Sequence, residues 1–210
     1  METEHGTSRY HAPGSQGESE PGSNGAVLAN KLGITSAEEM DELELVLLDK
    51  LYTRVLGEGL PGRSLEAVDL KRWHYQWLGN VYDWAGQERS VNLSKGGFPF
   101  AAAAQIPKLL EVFQRNILQR YTPCYGLEGD ALVRAIAETH VELILIHPFR
   151  EGNGRLARLL ADVMAVQSGQ DPLDYSAWEK NRDRYFAAIQ QGVLQDYQPM
   201  IAMVKEALGG

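Results

Sequence analysis

The chain is poor in cysteine, in basic residues and in long apolar runs. Its single cysteine, Cys124, excludes an intramolecular disulfide framework and a zinc site built on several cysteines. Lys and Arg number 20 against 28 Asp and Glu, giving a formal net charge of −8, and this acidic balance argues against a general nucleic-acid binder. No apolar run approaches the roughly 18 residues that span a bilayer, and the first residues lack the apolar core of a signal peptide. We therefore expect a cytoplasmic protein with no membrane partner and no direct nucleic-acid binding.

Composition divides the chain near residue 25. Gly, Ser and Pro fill 11 of the first 25 positions, whereas 44% of the whole chain is apolar. A segment so poor in apolar side chains cannot offset the entropy lost on ordering. The sequence predicts a disordered tail over residues 1–25 and one folded domain over residues 26–210.

Beyond the tail the hydrophobic spacing is helical almost throughout. Ser36 and Glu39 fit a capping box, and the apolar residues that follow fall on one helix face. Similar spacing predicts helices over residues 65–81, 103–120, 129–146, 154–167, 175–189 and 199–208. The predicted fold class is all-α, a compact core of six to eight helices.

One short segment departs from the helical pattern. Val91 and Leu93 alternate with polar neighbours, Lys95-Gly96-Gly97 is a turn signal, and the residue before Pro99 avoids the helical region. Residues 90–100 are therefore predicted to form a β-hairpin; a plain connector is the alternative.

Residues that can carry chemistry are concentrated in positions 147–158, His-Pro-Phe-Arg-Glu-Gly-Asn-Gly-Arg-Leu-Ala-Arg. Pro148 ends the preceding helix, and the glycines leave backbone N–H groups pointing outward at the start of the next one. Arg155 and Arg158 lie three apart on that helix, so two guanidiniums and free amides suit a di- or triphosphate. Glu151 is a candidate Mg²⁺ ligand beside bound phosphates, and His147 is a candidate base near neutral pH.

Each of these residues also has a structural interpretation. A lone histidine at a helix end is usually structural, Arg158 could pair with Asp162 one turn on, and Asn153-Gly154 alone is a common turn. The ordered string as a whole is harder to explain by packing.

This string resembles the motif of the Fic family, His-Pro-Phe-x-(Asp/Glu)-Gly-Asn-(Gly/Lys)-Arg, with a further Arg three residues on. All constrained positions match, and the upstream segments NKLGITSAEEMDELE and VYDWAGQERSVNLSKGGFPFA are also similar to the family. The resemblance covers roughly residues 28–208. It implies a Fic domain that transfers AMP from ATP to a Tyr, Thr or Ser hydroxyl of a target protein, with Mg²⁺ as cofactor.

The resemblance assigns roles to the motif residues. It implies that His147 is the general base, that Glu151 holds Mg²⁺, and that Asn153 reaches phosphate with its side chain. Arg155 would stabilise the leaving pyrophosphate and Arg158 the γ-phosphate. The full set of implied nucleotide-binding residues is Lys95, Gly96, Gly152, Asn153, Gly154, Arg155, Arg158, Asn181 and Tyr185.

The hairpin matches the family's flap, on which the target's backbone adds as an extra strand. The residues implied for target docking are Val91, Asn92, Leu93, Ser94 and Phe98. Gly152 and Gly154 differ from the phosphotransferring relative, which has Ala before and Lys after the motif Asn. This difference favours AMP transfer, while a phosphocholine-transferring branch stays open.

Regulation is implied by a missing pattern. Many members carry an inhibitory helix with (Ser/Thr)-x-x-x-Glu-(Gly/Asn); here only Thr35 and Glu39 come close, and Met40 follows. The resemblance therefore implies a toxin inhibited by the Glu of a separate small antitoxin, with type II topoisomerase subunits such as DNA gyrase B as targets. The alternatives are an inactive, binding-only module and an enzyme that transfers another phosphate-containing group.

Overall fold

The computed structural model describes residues 15–57 and 59–209, and these residues are predominantly helical. The helices, numbered along the chain, are α1 (Ala37–Gly57), α2 (Ala67–Leu78), α3 (Ile106–Phe113), α4 (Gln119–Tyr121), α5 (Gly129–Ile146), α6 (Asn153–Gln167), α7 (Ser176–Lys180), α8 (Arg182–Gln191) and α9 (Gln198–Leu208). The strands are β1 (Ser94–Lys95) and β2 (Phe98–Pro99). The predicted all-α class with one short hairpin is confirmed.

Local signals account for most helix boundaries. The Ser36 hydroxyl accepts the Glu39 N–H at the start of α1, as the capping pattern predicted. A π-helical segment, Gln114–Leu118, joins α3 to α4, so the helix predicted over 103–120 is not uniformly α-helical. The helix predicted over 175–189 breaks at Asn181, whose side chain accepts the Arg184 N–H and caps α8.

The core is built around α5. This helix packs against α6 and α9, and α1 packs against α2 and α6. The side chains of α5 are buried on most of its circumference, which leaves little solvent-facing surface. Because α5 and α6 are adjacent in the chain and in space, the loop of residues 147–152 between them is held at both ends.

The flap is shorter than the predicted hairpin. Ser94 pairs with Pro99 and Lys95 with Phe98 in antiparallel register. Gly96 and Gly97 have φ values of 56° and 78°, as a two-residue hairpin turn requires.

Residues 15–25, which composition predicts to be part of a disordered tail, include residues that form hydrogen bonds and a β-bridge with later parts of the chain. The Glu20 N–H donates to Val27 O, and Ser19 forms a β-bridge with Leu28. Gln16 accepts the Ser90 N–H with Oε1 and the Arg150 Nε–H with its main-chain oxygen. Composition alone could not reveal these contacts, because the domain supplies the partners. Residues 1–14 lie outside the described residues.

Among the helices that are described, none combines the length and apolar character needed to span a membrane.

Candidate active site

His147 lies at the end of α5, in a backbone conformation that is uncommon for a non-glycine residue. Its φ is 50° and its ψ is 59°, and its N–H still donates to Leu143 O. The ring nitrogen Nδ1 lies 3.2 Å from Ile144 O. A carbonyl only accepts, so we assign the hydrogen to Nδ1, which leaves the lone pair of the neutral imidazole on Nε2.

The imidazole of His147 is almost fully buried. Only 3% of the residue is exposed, and the ring of Phe100 stacks on it at a centroid distance of 3.7 Å. Burial lowers the pKa of His147 to about 3, and the positive charges of Arg89 and Lys95 act in the same direction. The residue is therefore neutral at pH 7, the form in which a base accepts a proton.

The Asn153 side chain closes the loop after His147, whereas the sequence analysis predicted that it reaches phosphate. The Asn153 amide donates to Phe149 O at 2.7 Å, and its Oδ1 accepts the Phe149 N–H at 2.8 Å. Both polar atoms are thus used inside the loop, so Asn153 fixes the shape of the loop and its side chain does not extend toward a ligand. The N-cap of α6 is Gly152, so the helix begins one residue before the predicted range of 154–167.

Aromatic residues of α2 form the floor of this loop. The His74 ring stacks on Phe149 at 4.1 Å. Its Nδ1 accepts the Gly86 N–H, so Nε2 carries the hydrogen and donates to Glu151 O. The sequence analysis did not identify these supports.

Gly152 lies directly against this floor, and we expect substitution by alanine to disrupt the site. An added Cβ would lie 2.6 Å from Cζ3 of Trp77, and φ is +81°. Overpacking and the positive φ together cost about 2–4 kcal/mol, or the loop shifts. We expect Gly152→Ala to lower the melting temperature and to weaken nucleotide binding at least about tenfold, measured by thermal unfolding and calorimetry. Gly154→Ala is the stability control, because beyond its chain neighbours and its own helix backbone no atom lies within 4 Å of a Cβ there. Equal melting temperatures for the two variants would contradict the expected clash at Gly152.

Arg155 is held in place by residues from two other helices. Its Nη2 lies 2.7 Å from Oε2 of Glu44, a buried residue of α1, and 3.5 Å from Glu151. The guanidinium also stands over the Trp77 ring at 4.5 Å. Glu44 in turn accepts the Tyr82 hydroxyl at 2.8 Å. The sequence predicted Arg155 as a cation for phosphate, and the structure adds a buried carboxylate that fixes it and balances part of its charge.

Arg158, like Arg155, pairs with a carboxylate and stands over an aromatic ring, but its carboxylate partner is exposed. Its Nη1 lies 2.8 Å from Oε1 of Glu179 in α7, and the guanidinium stands over the Tyr175 ring at 4.9 Å. The alternative pairing with Asp162 is not observed. Asp162 instead accepts the hydroxyls of Tyr52 and Tyr175.

We expect Glu179→Gln to strengthen triphosphate binding. The Glu179 side chain is 59% exposed, so its pairing with Arg158 is worth about 1 kcal/mol or less. A phosphate that binds Arg158 must displace this carboxylate, and its removal should lower the Kd of ATP by up to about fivefold. Calorimetry with ATP measures the change. Glu206→Gln, which breaks the exposed pair with Arg184, is the matched control; weaker or unchanged ATP binding by Glu179→Gln would contradict the expectation.

Glu151 is the carboxylate nearest the start of α6. Its Oε1 accepts the Gly152 N–H at 2.9 Å, and the residue is buried. The described residues contain no group of three or more His, Cys, Asp or Glu that could hold a metal ion by itself. Glu151 therefore fits Mg²⁺ only as one ligand of an ion whose other ligands are phosphate oxygens and water.

A cavity of about 610 Å³ lies beside His147 and the start of α6. Six of the predicted residues line it: Lys95, His147, Gly154, Arg155, Arg158 and Tyr185. The other predicted nucleotide-binding residues, Gly96, Gly152, Asn153 and Asn181, do not line it, and neither does the predicted metal ligand Glu151. Asn181 serves as the cap of α8. The wall also includes three residues of α1 that the sequence analysis did not identify, Leu45, Leu48 and Tyr52.

Tyr185, one of the predicted nucleotide-binding residues, lines this cavity. Its hydroxyl lies 2.9 Å from Nε2 of the buried His140, whose Nδ1 faces Ala157 O. Its ring stacks on Trp178 at 5.3 Å. With its hydroxyl engaged, Tyr185 presents aromatic surface to the cavity, which suits a planar nucleotide base, and the buried Trp178 supports its ring.

The flap residues divide into two groups. Val91 and Leu93 are buried, so their side chains anchor the flap to the core and do not face a target. Asn92 is exposed, but its Oδ1 accepts the Ala103 N–H. Within the described residues the sheet has only two strands, so no third strand covers the outer backbone edges of β1 and β2. Ser94 and Phe98, which lie on these strands, therefore stay predicted docking positions.

Comparisons with known proteins agree with this architecture. Residues 64–165 match the Fic/DOC family. The chain is 27% identical over 182 residues to the probable protein adenylyltransferase y4lH of Sinorhizobium fredii, covering 87% of this chain and 91% of that one. It is 29% identical over 175 residues to the probable protein adenylyltransferase Fic of Escherichia coli, covering 81% and 82% of the two chains. The fold is similar to that of BepC from Bartonella tribocorum with bound AMPPNP, with a TM-score of 0.71, 23% identity, and 86% and 91% coverage.

Proposed function

Since residues 64–165 match the Fic/DOC family and the chain is similar to probable protein adenylyltransferases, we propose that it transfers AMP from ATP to a Tyr, Thr or Ser hydroxyl of a target protein. The main support for this proposal is that a candidate base and candidate phosphate-binding cations lie on one cavity. The neutral His147 and the first turn of α6, with Arg155 and Arg158, line the same cavity. A base and an anion site on one cavity suit the attack of a hydroxyl on a phosphate.

The proposed reaction moves one proton and exchanges one bond. His147 Nε2 accepts the proton of the target hydroxyl, whose oxygen then attacks the α-phosphorus. The bond between the α-phosphorus and the bridging oxygen breaks, and pyrophosphate leaves. Arg155, Arg158 and the N–H groups at the start of α6 bind the phosphates and stabilise the negative charge that develops on them.

Glu151 is proposed as the residue that holds Mg²⁺ on the nucleotide. When bound, the ion would neutralise phosphate charge. The contribution of the chain is one buried carboxylate whose position is set by the Gly152 N–H.

We expect Glu151→Gln to weaken the dependence of the reaction on Mg²⁺. The amide keeps the shape of the side chain but lacks the charge that binds a hard cation. The Mg²⁺ concentration giving half-maximal activity should rise at least about tenfold, measured in a Mg²⁺ titration at saturating ATP. The control is Glu206→Gln, which removes an exposed carboxylate that pairs with Arg184 and does not line the cavity. Superimposable Mg²⁺ titrations of wild type and Glu151→Gln would exclude the metal role.

The function is tested by following the label of ATP into protein. A bacterial lysate is incubated with the chain, Mg²⁺ and ATP radiolabelled either at the α- or at the γ-phosphate. Label transferred only from the α-position supports AMP transfer. Label from the γ-position would indicate phosphotransfer, and the absence of both labels would indicate a binding-only module or a different donor.

The target and the regulation are proposals that rest on the resemblance. We propose a cytoplasmic toxin that modifies type II topoisomerase subunits such as DNA gyrase B. We also propose a small antitoxin whose Glu binds Arg158. The exposed pair with Glu179 supports the second proposal, because a carboxylate already occupies this guanidinium through a contact that a partner can replace. Incubation of purified gyrase B with the chain and labelled ATP tests the target, and coexpression with a small helical partner and its Glu→Gly variant tests the regulation.

A further inference from the structure

Arg89 is a buried cation that lies outside the motif and just before the flap. Only 2% of it is exposed. Its Nε donates to His147 O at 2.7 Å, and Nη1 donates to Val91 O at 2.6 Å. Its Nη2 donates to Ala101 O at 2.6 Å and to Ile146 O at 3.3 Å. Among the ion pairs of the described residues, none involves Arg89.

This burial is costly without a carboxylate partner. Removing a guanidinium from water costs several kcal/mol, and replacing a buried charge with an apolar residue of similar volume is often neutral or stabilising. Burial also lowers the pKa of Arg89 to about 10. The carbonyls at the C-terminal end of α5 offset part of the cost, since they form the negative end of the helix dipole. Stability alone is therefore a weak reason for a charge at this position.

The contacts of Arg89 join the catalytic loop to the flap. Its main-chain N–H donates to Pro148 O, so the residue binds three consecutive carbonyls, those of residues 146, 147 and 148. Its other two acceptors, Val91 and Ala101, precede β1 and follow β2, so they are the two stems of the flap. Phe100, the neighbour of Ala101, is the ring that stacks on His147.

We propose that Arg89 is a positioning residue that fixes the peptide of His147 relative to the flap. A target strand on the flap would then present its hydroxyl at a set distance from Nε2 of His147. This inference rests on the proposed roles of His147 as the base and of the flap as the docking site. None of the hydrogen bonds of Arg89 reaches the first turn of α6, so nucleotide binding is expected to be independent of it.

The test separates positioning from stability with four variants of the full chain: Arg89→Met, Arg89→Lys, Arg63→Met, and Arg89→Ala, which leaves space for added guanidinium. Arg89→Met fills the volume without donors. Arg89→Lys keeps the charge but cannot reach carbonyls on both sides. Arg63→Met is the control: it breaks the pair between Arg63 and the buried Asp69 of α2 and does not contact the site. Melting temperature, the Kd of ATP, and kcat and KM for the lysate protein labelled by wild type are measured for each.

For Arg89→Met we expect kcat to fall about a hundredfold, because a shift of about 1 Å in reacting groups has an effect of this size. The Kd of ATP should stay within about twofold, and Arg89→Lys should lose at least about tenfold in kcat. Guanidinium at millimolar concentration should restore part of the activity of Arg89→Ala, while urea should not. Arg63→Met should keep kcat within about twofold of wild type.

Three results would overturn the inference. They are a folded Arg89→Met with kcat within about threefold of wild type, a fully active Arg89→Lys, and a loss of kcat matched by an equal loss of ATP affinity. If Arg89→Met does not fold, the kcat of Arg89→Lys decides whether Arg89 is a positioning residue. If wild type labels no protein, the proposed function fails, and amide hydrogen exchange over residues 90–101 tests the coupling separately. Arg89→Lys should speed that exchange and Arg63→Met should not; unchanged exchange would refute the coupling.

Discussion

Replacing His147 with alanine is expected to lower kcat for AMP transfer by about a hundredfold to ten-thousandfold, the usual contribution of a general base. The imidazole is neutral, Nδ1 faces Ile144 O, and Nε2 is therefore the atom that accepts a proton. ATP should still bind within about twofold, because the proposed phosphate-binding groups are Arg155, Arg158 and the N–H groups at the start of α6, and not the imidazole. Steady-state kinetics and calorimetry with ATP measure the two effects.

A second variant separates loss of the base from loss of packing under Phe100. In His147→Asn the amide group can occupy the position of Nδ1 and bond to Ile144 O, but nothing replaces Nε2. We expect His147→Asn to be as inactive as His147→Ala while its melting temperature stays closer to that of wild type. Activity near the wild-type level in either variant, with ATP bound normally, would remove His147 from the mechanism.

The chain is also expected to lose stability steeply in mild acid. Burial lowers the pKa of His74 to about 4 and those of His140 and His147 to about 3, from an ordinary value of 6.5. Between pH 6.5 and about 4 the unfolded chain binds up to three protons that the folded chain does not. The free energy of unfolding therefore falls as the pH falls, with a limiting slope of about 1.4 kcal/mol per pH unit for each histidine.

Taken together, the three histidines should remove about 6 kcal/mol between neutral pH and pH 5, a large share of a typical domain stability of about 5–15 kcal/mol. Urea denaturation at several pH values between about 7.5 and 5 measures the slope. His140→Gln should reduce that slope by about one third, whatever its effect on stability at neutral pH. A free energy of unfolding that is flat across this range would show that the histidines are not held neutral in the fold.

The helices and the motif could be predicted because their signals are local in the chain. The capping of α1 by Ser36, the end of α5 before Pro148 and the spacing of Arg155 and Arg158 depend on neighbours within one or two turns. Helix geometry converts such spacing directly into position on a face. The hairpin was predictable for the same reason, since two consecutive glycines specify its turn.

Residues far apart in the chain supplied what local pattern could not. Glu44 lies 111 positions before Arg155, yet its carboxylate fixes that guanidinium. Trp77 and His74 set how closely Gly152 can approach α2. Gln16, in a segment whose composition predicted disorder, bonds to Arg150 of the motif loop. Packing between distant segments has no periodic signature in one sequence, and such contacts are therefore visible only once the chain is folded.

The sequence alone determined the helical class, the hairpin and the order of chemical groups along residues 147–158, because each depends on backbone preferences and residue spacing. Only the tertiary structure decided how those groups are used. It engages both polar atoms of the Asn153 side chain within the loop, pairs Arg155 with a buried carboxylate and Arg158 with an exposed one, and makes His147 neutral by covering it with Phe100. The physical reason is that partner identity, burial and charge depend on which segments meet, and that is set by packing of the whole domain.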